Sequence, residues 1–322
     1  LRLTLSNYLK KHYGLDYDPE EEILITVGVS EALDLALRAI LNPKDKVIIV
    51  NPSYVSYARL VELGGATPVF INTESTNFKL TPLLLERHIG KNTKAIILNY
   101  PTKPTGVSYT KRELEEIKKI ILKHKILCIS DEIYGELTYD FVHTPFATLS
   151  GARDFTIYLN GFSKAYAMTG WRIGYACGPK EVISAMTKIH QYTIMCVPTT
   201  SQIAACEALV SAKKELEIMK REYKRRREFL VDSLNKLGLT CPRPEGAFYV
   251  FCSIKNTGLN DLEFAQRLLK EEKVALVPGS AFGRDFFNYV RISYASNFEN
   301  LKEAVLRIER FLKKLRRGGR DA

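Results

Sequence analysis

Residues 156–178 read TIYLNGFSKAYAMTGWRIGYACG, and the fold turns on how this stretch is taken. A β-rich run (156–160) stops at a short polar turn, a lysine follows, and a second apolar segment comes after it. A Ser-Lys dipeptide alone carries no chemistry in a chain with 47 lysines and arginines, most of which must be solvated surface charges. The setting of Lys164 is different: it follows a strand-like run, has apolar and aromatic neighbours, and precedes Arg172 by eight positions. A lysine taken out of water beside another cation has its ammonium form destabilised, which suits an amine that must act as a nucleophile.

Working outward, the flanking sequence has the texture of alternating strands and helices. Upstream lie apolar runs at 22–26, 46–50, 67–71, 94–99 and 126–130, with helical spacing at 3–12, 32–41, 55–63 and 111–123. Short apolar strands separated by amphipathic helices indicate a mainly parallel sheet covered on both faces, and ligands collect at the carboxyl ends of such strands. At those ends stand Gly28-Val29-Ser30-Glu31, the segment ending in Tyr54, the turn 100–106, and Asp131-Glu132-Ile133-Tyr134. The glycine-led turn at Gly28 is either a phosphate-sized anion site at a helix N-terminus or a plain helix start capped by Ser30; the residues leave both open. Downstream, a helix is predicted from 179 to 191 and a long helical region from 198 to 237, with a highly charged second half. Gly238 and Pro242-Arg243-Pro244 break it. A strand from 247, a helix at 261–271, strands at 274–277 and 288–295, and a helix at 298–315 then segregate into a smaller unit. The predicted fold class is α/β: a large domain (1–205) with a mainly parallel sheet sandwiched by helices, then a connecting helix and a small α+β domain (206–322).

Ser163-Lys164 and Gly170-Trp171-Arg172-Ile173-Gly174, read with Asp131 and Tyr134, carry a resemblance that spans nearly the whole chain. The sequence resembles the fold type I, pyridoxal phosphate-dependent aminotransferases of class I/II, the aspartate and aromatic aminotransferase family. That resemblance implies pyridoxal 5'-phosphate as cofactor, held as a Schiff base on Lys164, which also shuttles the substrate proton. It assigns Asp131 to the pyridine nitrogen and Tyr134 to the phenolic oxygen. Val29, Ser30 and Arg172 fall at the phosphate, Tyr54 at the ring face, and Arg291 at the substrate α-carboxylate. In the run 289–294 Arg291 alternates with Val290 and Ile292, so its side chain should leave the core face they share. The implied reaction moves an amino group from an L-amino acid to a 2-oxo acid, with 2-oxoglutarate the expected acceptor, in a homodimer with shared active sites. Two other outcomes fit the same residues, a carbon–sulfur β-elimination lyase on the same cofactor and a non-catalytic cofactor-binding regulatory module.

The chain departs from the family pattern in three places. Lys103 stands where the turn usually carries an asparagine that donates to the cofactor's phenolic oxygen. Its ammonium could enter the pocket as a fixed cation, or its stem could lie along Tyr100 with the head in solvent. Gly161 replaces a hydroxyl that binds phosphate in relatives. Family members also carry an N-terminal arm upstream of the position of Leu1, including a tyrosine given to the partner's phosphate, so the chain is read as N-terminally truncated. Composition bounds the rest: 46% hydrophobic and 26% charged residues make an ordinary globular balance, and no apolar run is long enough to cross a membrane. A cytoplasmic protein is expected. Six cysteines lack metal-ligand spacing, and no metal is expected. The net charge of +11 is assigned to solvated helical faces and not to nucleic-acid binding, because no nucleic-acid-binding motif accompanies it.

Overall fold

The computed structural model describes residues 1–318. Helix α1 (Arg2–Tyr13) leads into β1 (Ile23–Thr26) and α2 (Gly28–Ile40), followed by β2 (Lys46–Asn51), α3 (Ser56–Leu63), β3 (Thr67–Asn72), α4 (Pro82–His88), β4 (Thr93–Asn99), α5 (Lys111–His124), β5 (Leu127–Asp131) and β6 (Thr156–Gly161). After the short α6 (Phe162–Ala165) come β7 (Gly174–Cys177), α7 (Lys180–Thr193), α8 (Thr199–Ser211) and α9 (Lys213–Lys236). The remainder is β8 (Tyr249–Ser253), α10 (Asp261–Glu272), β9 (Val277–Pro278), β10 (Tyr289–Ser293) and α11 (Phe298–Gly318).

Strands β1 to β7 form one sheet in the order β1-β7-β6-β5-β4-β2-β3. Only β7 runs against its neighbours; β2, β3, β4, β5 and β6 pair in parallel. The expected mainly parallel sheet is therefore present. Both its faces are covered, as continuously apolar strands require: α2, α3 and α7 contribute to one core with Leu33, Leu37, Tyr57 and Met186, and α4 and α5 to another with Leu85, Leu114, Ile117 and Ile121. Local chemistry sets the helix ends. Thr110 and Glu113 form a reciprocal capping box at the start of α5, and Lys125 closes it in a left-handed conformation.

Strands β8, β10 and β9 make a second, antiparallel sheet. Its core joins Leu230 and Leu234 of α9, Phe264 and Leu268 of α10, and Ile308 and Phe311 of α11 to Val250, Cys252, Val290 and Ile292. The strand expected at 274–277 is reduced to the two residues of β9, because Val274 and Leu276 pack onto this core without a ladder partner. The long helical region is interrupted at Ala212, which separates α8 from α9, so residue 205 lies inside α8. Helix α4 and strand β7 are additional to the elements read from the sequence.

The topology positions a site. Because β1 and β6 both run against β7, the carboxyl ends of β1, β2, β4, β5 and β6 all face one edge of the sheet. Gly28, Tyr54, Lys103, Asp131 and Lys164 leave from those ends.

Candidate active site

One cavity at this edge is lined by Val29, Ser30, Tyr54, Lys103, Asp131, Tyr134, Lys164 and Arg172. All eight cofactor-side residues singled out in the sequence thus meet in one place. Leu33, Tyr57, Asn99, Ile133 and Ser163 complete the wall. Of these five the sequence singled out only Ser163, as part of the Ser-Lys motif and without a role of its own, since a tyrosine one turn into a helix or an asparagine ending a strand looks like any other.

Asp131 ends β5 and enters the cavity floor, while Glu132 turns the other way. There Glu132 is fully buried and bound by Ser130 Oγ at 2.6 Å, Tyr100 Oη at 3.0 Å, the Phe146 amide at 3.0 Å and His143 Nε2 at 2.5 Å. Asp131 Oδ2 accepts from Tyr57 Oη at 2.6 Å and Oδ1 from the Ile133 amide at 3.2 Å. Burial outweighs these donors and pushes its carboxyl above the usual aspartate range. Asn99 fixes the neighbouring turn: Nδ2 donates to the Asp131 carbonyl at 2.8 Å, and Oδ1 accepts from the Lys103 amide at 2.9 Å.

Lys164 lies in α6, directly after β6. Burial first, and the charge of Arg172 second, hold its ammonium below the ordinary lysine range. Arg172 adopts a left-handed backbone conformation (φ 51°) and donates Nη1 to the Thr169 carbonyl at 3.1 Å. Gly28, itself at φ 72°, makes room for it, since a β-carbon there would stand 2.6 Å from Arg172 Nη2. Gly161 has a packing reason: a β-carbon at that position would lie 2.8 Å from the Gly174 α-carbon on β7.

Tyr134 Oη sits 3.2 Å from Tyr249 Oη, and burial raises its phenol well above the ordinary range. Beyond Tyr249 comes Arg291. As predicted, it leaves the face that Val290 and Ile292 bury, and its guanidinium lies 4.6 Å from the Tyr249 ring centre and 5.3 Å from that of Phe282. Its Nε is buried with no hydrogen-bond partner. Lys103 takes the inward course: Nζ stands 4.2 Å from the Tyr54 ring centre, and burial, Arg291 and Lys164 bring its ammonium down to about 8. Among the described residues, Lys103, Lys164, Arg172 and Arg291 form no ion pair with a carboxylate. An acceptor-rich ligand is what such a donor set lacks. A phosphate at the Gly28–Ser30 turn and Arg172, and a carboxylate at Arg291, fit it.

Residues 1–308 match the family model described as "Aminotransferase class I and II". The chain belongs to that family. The chain is 48% identical over 98% of its length, and 82% of the relative's, to the putative aminotransferase YugH of Bacillus subtilis, and 43% identical over 97% of its length, and 82% of the relative's, to aromatic-amino-acid aminotransferase 2 of Thermococcus litoralis. In structure it superposes with a TM-score of 0.95 on the aromatic aminotransferase of Pyrococcus horikoshii, at 42% identity, covering 97% of this chain and 84% of that one. The aspartate aminotransferase of Thermus thermophilus with maleate gives 0.92 at 39% identity, over 96% and 80%. The protein is an aminotransferase with the fold type I architecture. Among the aminotransferase's described residues no group of histidine, cysteine, aspartate and glutamate is placed to hold a metal ion, and no helix is long and apolar enough to cross a membrane.

Proposed function

We propose that this aminotransferase binds pyridoxal 5'-phosphate in the cavity at the sheet's carboxyl edge, through Lys164, and transfers the amino group of an L-amino acid to a 2-oxo acid, with 2-oxoglutarate as acceptor. The observation that carries the reading is the convergence on one cavity of a desolvated lysine, a buried carboxylate and Arg172, which has no carboxylate partner, with the unbonded Nε of Arg291 beyond Tyr249. When bound, the cofactor supplies a Schiff-base carbon and an electron sink for the substrate α-carbon. The residues of the chain do the rest. Arg172 and the amides at Val29 and Ser30, at the positive end of α2, hold the phosphate. Tyr54 lies against the ring. Asp131, already inclined by burial to keep a proton near, holds one at the ring nitrogen, and Tyr57 fixes its orientation. Tyr134 donates to the phenolic oxygen. Arg291 binds the substrate carboxylate with its planar fork. Lys164, once its amine is free, is lowered enough in basicity to take the α-proton and return it one carbon away.

The exposed apolar residues Trp171 and Ile194 line the groove that adjoins Arg172, and Tyr192, Met195 and Ile203 are exposed on the α7–α8 segment that carries Ile194. A patch of this kind beside the phosphate site supports a homodimer whose subunits complete each other's sites. The experiment for the central assignment is borohydride reduction of the cofactor-loaded enzyme followed by peptide mass mapping. The cofactor is expected on the peptide containing Lys164, and Lys164→Ala should lose both the label and turnover. A label retained elsewhere in Lys164→Ala would overturn the assignment.

A further inference from the structure

Two cysteines meet across strands in the smaller sheet, outside the wall of the active-site cavity. Thr240 forms an isolated antiparallel bridge with Ser253, whose amide donates to the Thr240 carbonyl at 2.8 Å. One step along the same register, the partners are Cys241 and Cys252. Because Thr240 and Ser253 are the hydrogen-bonded pair, Cys241 and Cys252 are the closer, non-hydrogen-bonded one, a pair whose α-carbons lie about 4.5 Å apart in a regular sheet. A disulfide spans roughly 4.4–6.8 Å between α-carbons, so the backbone register suits one. Both side chains enter the same core, with Leu239, Val250 and Val290, at 4% and 0% exposure. Contact with the Cys241 thiol, and then burial, hold the Cys252 thiol well above the ordinary cysteine range. Otherwise each sulfur meets only a backbone carbonyl, at 3.8 Å. The cover over the pair is thin. Thr240, Pro242 and Arg243 on either side of Cys241 are exposed, and at Thr240 and Cys241 the chain is held by the one bridge and by the Asn235 side chain, at 3.0 and 3.1 Å from the Cys241 amide and carbonyl. Local opening of this edge segment uncovers both thiols without unfolding the sheet behind it.

We propose that Cys241 and Cys252 are a modification site, at which hydrogen peroxide joins them in a reversible disulfide. The thiolate of one cysteine, freed when the segment opens, attacks a peroxide oxygen; the O–O bond breaks, one water leaves and the sulfur becomes a sulfenic acid. The second thiol then attacks that sulfur, the S–S bond forms, and the hydroxyl departs with the thiol proton as a second water. Two thiols are oxidised by two electrons and one peroxide is reduced to two waters. A buried cysteine alone is inert. Here the cross-strand neighbour of whichever sulfur reacts first is itself a thiol, so closing of the segment brings the sulfenic acid onto its resolving partner. The ring that the bond closes runs through Ala247, Phe248 and Tyr249, the stretch that carries the Tyr249 hydroxyl to Tyr134.

The test is peptide mass mapping of the holoenzyme after exposure to hydrogen peroxide and blocking of remaining thiols with iodoacetamide. Trypsin cuts after Lys236 and Lys255 but not between Arg243 and Pro244, so both cysteines leave in the one peptide 237–255. That peptide is expected two hydrogens lighter and unblocked, and treatment of the oxidised enzyme with dithiothreitol before blocking should restore two alkylated cysteines. In Cys241→Ala no species two hydrogens lighter should form, because Cys252 has lost its partner. The exposed Cys196 reports that peroxide has reached the protein. If Cys196 is oxidised while 237–255 stays doubly alkylated, or if that peptide gains oxygen on its cysteines without closing, the proposal is overturned.

Discussion

Asp131 shows at the scale of a single residue how the site trades stability for chemistry. Its carboxylate is buried, and burial raises its folded-state pKa despite two donors. An acid whose folded pKa exceeds its unfolded value binds more protons folded than unfolded between the two, so the apoprotein loses stability as pH rises through that window above 3.8. Asp131→Asn removes the charge, keeps an oxygen for the Ile133 amide, and lets the Tyr57 hydroxyl rotate to accept from the new amide. The apoprotein of Asp131→Asn is therefore expected to be more stable than wild type at pH 7, by about 1 kcal/mol, in urea denaturation. Its turnover should fall at least about a hundredfold, because an amide cannot keep a proton on the ring nitrogen. A variant that is no more stable, or that loses less than about tenfold in rate, would separate Asp131 from one or the other half of this account.

At the scale of elements, the phosphate site is made where three segments meet closely enough to exclude side chains. The start of α2, the end of β6 and the start of β7 approach so closely that a β-carbon on Gly174 would lie 2.7 Å from the Val29 amide nitrogen. Gly28→Ala adds strain at a left-handed residue and intrudes on Arg172. It should cost about 1 kcal/mol or more in stability. More diagnostically, it should speed cofactor loss on dialysis by at least about tenfold with little change in the far-ultraviolet spectrum, since the guanidinium must move away from the phosphate. Retention equal to wild type would show that Arg172 does not depend on that cradle. A second contact helps fix the carboxyl edge: Glu31 in the first turn of α2 accepts from the Val27 amide at 2.5 Å and meets the buried His190 of α7 at 2.7 Å, tying the turn to the helix behind it.

At the scale of the whole molecule, the end of α7 and the connection to α8 carry strongly exposed apolar side chains, with Tyr192 91% and Met195 80% accessible. Light scattering is expected to give the mass of two chains, and Met195→Asp with Ile203→Asp to give that of one, with cofactor retention reduced in the monomer. A monomeric wild type that holds its cofactor would remove the shared-site reading.

The sequence by itself determined the layered α/β architecture, because strands buried on both faces must be continuously apolar and their helices must alternate polar and apolar faces. Val47-Ile48-Ile49 and Leu33, Leu37 and Ile40 declare this without help from distant residues. Lys164, Asp131, Arg172 and Arg291 were legible as candidates through the family motifs that contain them, the Ser-Lys and Gly-Trp-Arg-Ile-Gly segments above all. Other features came from tertiary structure alone. That β7 runs antiparallel, and that 274–276 packs without pairing, depends on partners far away in the chain. Tyr57 acquires its role only when α3 lies over Asp131, 74 residues on. The course of Lys103 was open in the sequence because a lysine stem serves a pocket or a surface equally well. The Tyr54 face, and a cavity deep enough to strip water from the ammonium, decided it.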